Sequence, residues 1–88
     1  MAILRLFAAA REAAGTGTDR LPGTTVEAVL AEAVERYGAR FTAVLAGSRV
    51  WVNGQPADNQ SPVEDGDEVA VLPPVSGGAG REPGPALG

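Results

Sequence analysis

Hydrophobic and polar positions alternate along several short stretches of this chain and recur every three to four residues along one longer stretch. Ala2 to Phe7 reads as a strand, with Leu4 and Leu6 on one side and Ile3, Arg5 and Phe7 on the other. Thr18 to Leu21 predicts a short returning strand closed by Pro22-Gly23. Arg49 to Val52 predicts another, with Val50 and Val52 toward a core and Trp51 opposite, ending at the turn dipeptide Asn53-Gly54. The last strand follows the Asp65-Gly66 turn, where Val69 and Val71 alternate with Glu68 and Ala70. Pro73-Pro74 stops it, because proline cannot donate to a ladder and favours an extended polyproline conformation.

The longer period belongs to a helix. Val26, Val29, Leu30, Ala33, Val34 and Tyr37 form one apolar stripe, with Glu27, Glu32, Glu35 and Arg36 on the solvent side. Thr24 with Glu27 fits a capping box at its start, and Gly38 is placed to end it in a left-handed conformation. Ala8 to Gly17 is a connector containing a helical turn. Arg40 to Gly47 leaves two readings, a turn of helix or irregular packing under the sheet through Phe41, Val44 and Leu45. Gln55 to Glu64 is loop or a minor strand. Together these elements predict an α+β domain: a mixed sheet of four to five strands with one main helix packed on one face. If the helix lies on the crossover, the first and last strands become parallel central neighbours, which is the ubiquitin-like β-grasp. Residues 1–74 would form that domain and 75–78 an arm. The Gly/Pro-rich residues 79–88 are expected to be a disordered extension.

Composition narrows the chemistry. There is no cysteine and no histidine, which removes the usual nucleophile, the commonest general base and the preferred transition-metal ligands. The net charge of -4 argues against nucleic-acid binding and for basic partner surfaces. All seven positive residues are arginine, so no side-chain amine can accept an acyl group. Gly15-x-Gly17 lacks the lysine and the further glycines of a phosphate loop and reads as a turn. Glu64, Asp65, Asp67 and Glu68 lack the spacing of a calcium loop; they read as acidic turn residues that steer toward a basic partner. Arg5 interrupts the apolar start, which is far too short to cross a bilayer, so a cytoplasmic protein with no membrane contact is expected.

Three segments carry a resemblance. Phe7-Ala-Ala-Ala-Arg-Glu-Ala-Ala-Gly15, Val52-Asn53-Gly54, and Asp65-Gly66-Asp67-Glu68-Val69 through Pro73-Pro74-Val75-Ser76-Gly77-Gly78 are together similar to the MoaD/ThiS sulfur-carrier family, in order and in spacing. Within that family the nearest branch is that of the molybdopterin synthase small subunits. The resemblance implies a non-catalytic carrier. An E1-like adenylyltransferase would activate the Gly78 carboxylate with ATP, and a sulfurtransferase persulfide would convert it to a thiocarboxylate. An acceptor synthase, such as the molybdopterin synthase large subunit, would then consume the sulfur. Gly77 would supply the approach, because glycine lets bare backbone enter a narrow channel. No cofactor is expected on the chain itself; ATP and metal would sit on the activating partner.

The resemblance departs at Ala79 to Gly88, since such carriers usually end at the diglycine. With an amide in place of a carboxylate Gly78 cannot be adenylated, so a processing protease is expected to cut after it. The partner-binding residues would be Phe7, Arg11, Trp51, Leu72, Pro73, Pro74, Val75 and Ser76. A sheet covered on one side should be polar on the other, and Ile3, Phe7, Trp51, Ala70 and Leu72 are apolar there. For Trp51 two readings stand: docking, or cover from the Arg40 to Gly47 segment. Arg11 with Glu12 is equally readable as a local ion pair. Two other functions remain open: a carrier for another pathway, such as cysteine, thiamine or a sulfur-containing secondary metabolite, and a ubiquitin-like modifier joined to lysines of other proteins.

Overall fold

The fold follows from how one sheet gathers the alternating stretches. The computed structural model describes residues 1–74. Within them lie β1 (Ala2–Leu6), α1 (Ala8–Ala14), β2 (Thr18–Leu21), α2 (Val26–Tyr37), α3 (Ala39–Ala46), β3 (Arg49–Val52), β4 (Gln55–Pro56) and β5 (Glu68–Leu72). The strands form one sheet in the order β2-β1-β5-β3-β4. β1 and β5 are central and parallel, with Leu4 opposite Val69 and Leu6 opposite Val71; the other three pairings are antiparallel. This is the expected β-grasp.

Strand parity decides which side chains are inside. Ala2, Leu4 and Leu6 of β1 and Val69 and Val71 of β5 are buried, and they meet Val26, Val29, Leu30 and Ala33 from the apolar stripe of α2. Among the described residues no polar or charged side chain is buried, so this core is held by apolar contact alone.

The start of α2 differs from the capping-box expectation by one residue. Thr25, not Thr24, is the N-cap; its Oγ1 accepts from the Ala28 N–H at 3.2 Å. The residue three beyond the true cap is therefore an alanine, and no reciprocal carboxylate closes the box. Two further first-turn donors are met from outside the helix. Val26 N–H donates to the Ser61 carbonyl and Glu27 N–H to the Asn59 carbonyl, both at 3.0 Å. Gly38 has the positive φ expected of it, 88°, but its ψ of −162° is extended rather than helical, because it ends α2 and begins α3 at once. Of the two readings of Arg40 to Gly47 the helix is correct. Phe41 is fully buried, with its ring 5.3 Å from that of Tyr37 in an edge-on arrangement. The connector after β1 also closes into a short helix, ended by Gly15 with φ 80°.

Candidate functional site

The site is built where β5 leaves the sheet. Leu72 is its last residue, and Pro73 and Pro74 are the last described residues. Val75, Ser76, Gly77, Gly78 and the segment from Ala79 to Gly88 lie outside the described residues. The start of β5 is fixed by a side chain from the neighbouring turn. Asn53 and Gly54 both have positive φ, 50° and 82°, as a two-residue hairpin turn requires. The Asn53 side-chain oxygen accepts from Glu68 N–H at 2.9 Å, while its Nδ2 donates to Asp67 Oδ1 at 3.1 Å. Asp67 Oδ2 also accepts from Glu64 N–H at 2.9 Å, and these bonds hold its carboxyl below the usual carboxylate value. The acidic turn is thus occupied by its own backbone. Among the described residues no group of three acids, cysteines or histidines is placed to hold a metal ion.

The face of the sheet turned away from the helices carries the predicted apolar residues. Phe7, Trp51, Ala70 and Leu72 line a shallow hollow with Gly54 and Glu68. Register explains the grouping: Trp51 stands opposite Ala70 across the β3–β5 pair, and Leu72 is two residues further along the same face. Phe7 is 41% exposed and Leu72 37%, whereas Trp51 is half-buried against its strand neighbours. Of the two readings of Trp51, cover by the Arg40 to Gly47 segment fails, because that segment turns Phe41 into the core and does not line this hollow. Phe7 sits at the junction of β1 and α1, immediately before Ala8, whose φ of 50° is left-handed. That conformation costs an alanine about 1 kcal/mol, a strain stored beside an exposed aromatic ring.

Arg11 does not pair with Glu12. Among the described residues the ion pairs are Met1 with Asp65, Arg5 with Glu68 and Arg36 with Asp19. Arg11 instead lines a second hollow with Phe7 and Arg5, its side chain lying over Gly17. Sequence reasoning placed Arg5 on this face beside Phe7 without giving it a role, and missed Arg49 as a member of this surface. Strand parity contained the signal, since residues 5 and 7, and 49 and 51, share a face.

Known proteins resemble the chain throughout this region. Residues 4–78 match the sequence profile of the ThiS family. A molybdopterin synthase sulfur carrier subunit from Phaeosphaeria nodorum is 36% identical over 81 residues, covering 82% of this chain and 84% of that protein. The crystal structure of SAMP1 from Haloferax volcanii is 32% identical with a TM-score of 0.79, covering 88% of this chain and 98% of that one. The solution structure of the small archaeal modifier protein 1 from Methanosarcina acetivorans is 30% identical with a TM-score of 0.78, covering 88% and 95%.

Proposed function

Because the chain belongs to the ThiS family, with which residues 4–78 align, we propose that it is a sulfur carrier whose reactive atom is the carboxylate of Gly78. The observation that carries this reading is the placement of β5. The central strand ends at Leu72 and hands the chain to Pro73-Pro74 beside an exposed apolar hollow, and the family match stops at the second glycine that follows. A rigid Pro-Pro exit beside an exposed apolar hollow suits delivery of a terminus into another protein's active site.

The chemistry then runs on partners. The Gly78 carboxylate attacks the α-phosphate of ATP on an E1-like adenylyltransferase and releases pyrophosphate. Hydroxide is a poor leaving group, and adenylation replaces it with AMP. The terminal sulfur of a persulfide on a sulfurtransferase attacks the acyl carbon and expels AMP. A second thiol cleaves the resulting S–S bond, is itself oxidised to a disulfide, and leaves the thiocarboxylate. ATP and metal belong to the activating partner in this scheme. Molybdopterin synthesis is the favoured destination, supported by the fungal carrier subunit at 36% identity.

Residues 79–88 make Gly78 an internal amide, so removal of Ala79 to Gly88 by a protease precedes activation. The test is pyrophosphate release when full-length and Gly78-terminated protein are offered to the activating enzyme of the same cells with ATP. Turnover of the shortened protein alone is expected; equal turnover of both overturns the processing step, and turnover of neither overturns the carrier reading. A second reading, attachment to lysines of other proteins, is favoured by the two archaeal modifier structures. Mass spectrometry of the protein from its own cells separates the two. Replacement of one oxygen by sulfur at Gly78 marks the carrier, and a Gly-Gly remnant on foreign lysines marks the modifier.

A further inference from the structure

Two hollows open side by side on the outer face of the sheet, and Phe7 is a wall of both. One is apolar, between Trp51, Ala70 and Leu72. The other lies across β1, where Arg5 and Arg11 supply its polar wall. Arg49 stands opposite Leu72 in the β3–β5 ladder, on the far flank of the apolar hollow. Arg5 Nη1 is 3.3 Å from Glu68 Oε2, but Arg11 and Arg49, both exposed, enter no ion pair among the described residues.

Glu68 is the carboxylate of the apolar hollow, where it faces Arg5, and Asp58 lines a further hollow together with Arg49. The acidic clusters lie elsewhere. Glu27, Glu32 and Glu35 are exposed on α2, and Glu64, Asp65 and Asp67 crowd the turn before β5, at the end of that strand away from Leu72. Asp65 there receives the N-terminal ammonium, and Asp67 is bound to Glu64 and Asn53. With Glu68 already taken by Arg5, the apolar hollow beside Leu72 is left flanked by Arg11 and Arg49 in a chain whose net charge is -4.

Resting on the reading of this surface as the one that meets the activating enzyme, we propose that the enzyme docks with a protruding apolar side chain in the Trp51–Leu72 hollow and a carboxylate immediately beside it, taken by Arg11. A second carboxylate answers Arg49. Guanidinium offers a planar fork that a carboxylate matches with two parallel hydrogen bonds, and the Phe7 ring beside it limits the water that weakens such a pair. The basic partner that overall charge suggests would instead set cation against Arg11 and Arg49, a repulsive juxtaposition. The local field decides here, because charges more than a Debye length away, about 8 Å at physiological salt, are largely screened.

The test is the initial rate of adenylation of the Gly78-terminated protein at concentrations below saturation. Arg11→Glu and Arg49→Glu are each expected to lower that rate by about ten-fold while the rate at saturation is retained, with thermal midpoints unchanged. Rising salt is expected to lower the wild-type rate. Arg40→Glu makes the same change in net charge on α3 and is expected to leave the rate as it was. If Arg11→Glu and Arg49→Glu behave like Arg40→Glu, or raise the rate, the carboxylate partner is wrong and the carrier reading stands. If the wild-type protein is not adenylated at all, the carrier reading falls and this proposal with it.

Discussion

The hydroxyl of Tyr37 donates to the carboxylate of Asp19, tying the last turn of α2 to the edge strand β2. Arg36 Nη1 reaches the same oxygen at 3.0 Å. The Tyr37 hydrogen bond is the foremost cause holding Asp19 below its ordinary value of 3.8, while burial, and then Asp19 itself, push Tyr37 from 10.0 up to about 12.

Two pH limits follow from these shifts, with opposite signs. The depressed Asp19 contributes stability that is present above its unfolded value and lost as pH falls through its folded one, and Asp67 acts in the same sense. The raised Tyr37 contributes stability that is complete below pH 10 and lost as pH climbs toward about 12. No lysine, cysteine or second tyrosine titrates in that alkaline window. The thermal midpoint of the wild-type protein should therefore decline across it, and that of Tyr37→Phe should not. At neutral pH Tyr37→Phe should cost about 1.5 kcal/mol in urea unfolding, the scale of a hydrogen bond to a charged group.

Gly23 precedes α2 with φ 146°, and a Cβ placed there would lie 2.8 Å from the Val29 backbone nitrogen and 2.9 Å from Val29 Cγ2. Neither contact can be relieved by rotating a flexible tip, because one is backbone and the other a branched side chain in the core. Gly23→Ala should destabilise by about 2–3 kcal/mol. Gly47 has an ordinary negative φ and open space around its Cα. Gly47→Ala should be neutral or stabilising by up to about 1 kcal/mol. Urea midpoints of the two variants check the contrast.

The cap of α2 is tested by paired threonine substitutions. Thr25→Ala removes the side-chain acceptor for Ala28 N–H and should cost about 1 kcal/mol. Thr24 contributes its backbone carbonyl, which accepts from Val63 N–H at 2.9 Å, and its side chain is exposed. Thr24→Ala should therefore stay within about 0.5 kcal/mol of wild type. The reverse ranking would restore the capping box.

Phe7→Ala should separate recognition from folding. The ring is 41% exposed and outside the core, so the thermal midpoint should move by no more than a few degrees. Affinity for the activating enzyme should fall at least ten-fold, as for an aromatic anchor. Leu4→Ala is the complementary control: Leu4 is fully buried, and its loss should cost about 2–5 kcal/mol of stability. Trp51 is the chain's single tryptophan, and its fluorescence reports directly on this face when partner binds.

The chain's hydrophobic pattern carried the sheet more fully than it carried the helix starts or the local charge. Period-two alternation placed Leu4, Leu6, Val69 and Val71 inside and Phe7, Trp51 and Leu72 outside, because strand parity is a strict rule once one face is buried. The cap was misplaced because Thr24 and Thr25 are adjacent and both chemically able. The choice fell to contacts of residues 59–63, which bring carbonyls from far along the chain to the first turn of α2. The segment from Arg40 to Gly47 was ambiguous because eight helical residues carry too few periods to separate a helix from a loop, and its helicity rests on seating Phe41 against Tyr37. The sign of charge on the outer face was hidden by the chain's total. Arg5 and Arg11 meet in one hollow, and Arg49 comes to the far flank of the next, only when three strands and a helix are assembled, and a sum over residues has no geometry.

The parallel pairing of β1 with β5 has a mechanical consequence. The chain enters β1 and leaves β5 at opposite ends of the same ladder, and the pairs from Ile3–Glu68 to Leu6–Val71 lie side by side between those points. Tension applied along the arm after Leu72, against resistance at the start of β1, loads those hydrogen bonds together in shear instead of opening them one at a time. A pull on the chain beyond Pro74 is thus resisted by the whole β1–β5 ladder at once rather than by its last bond.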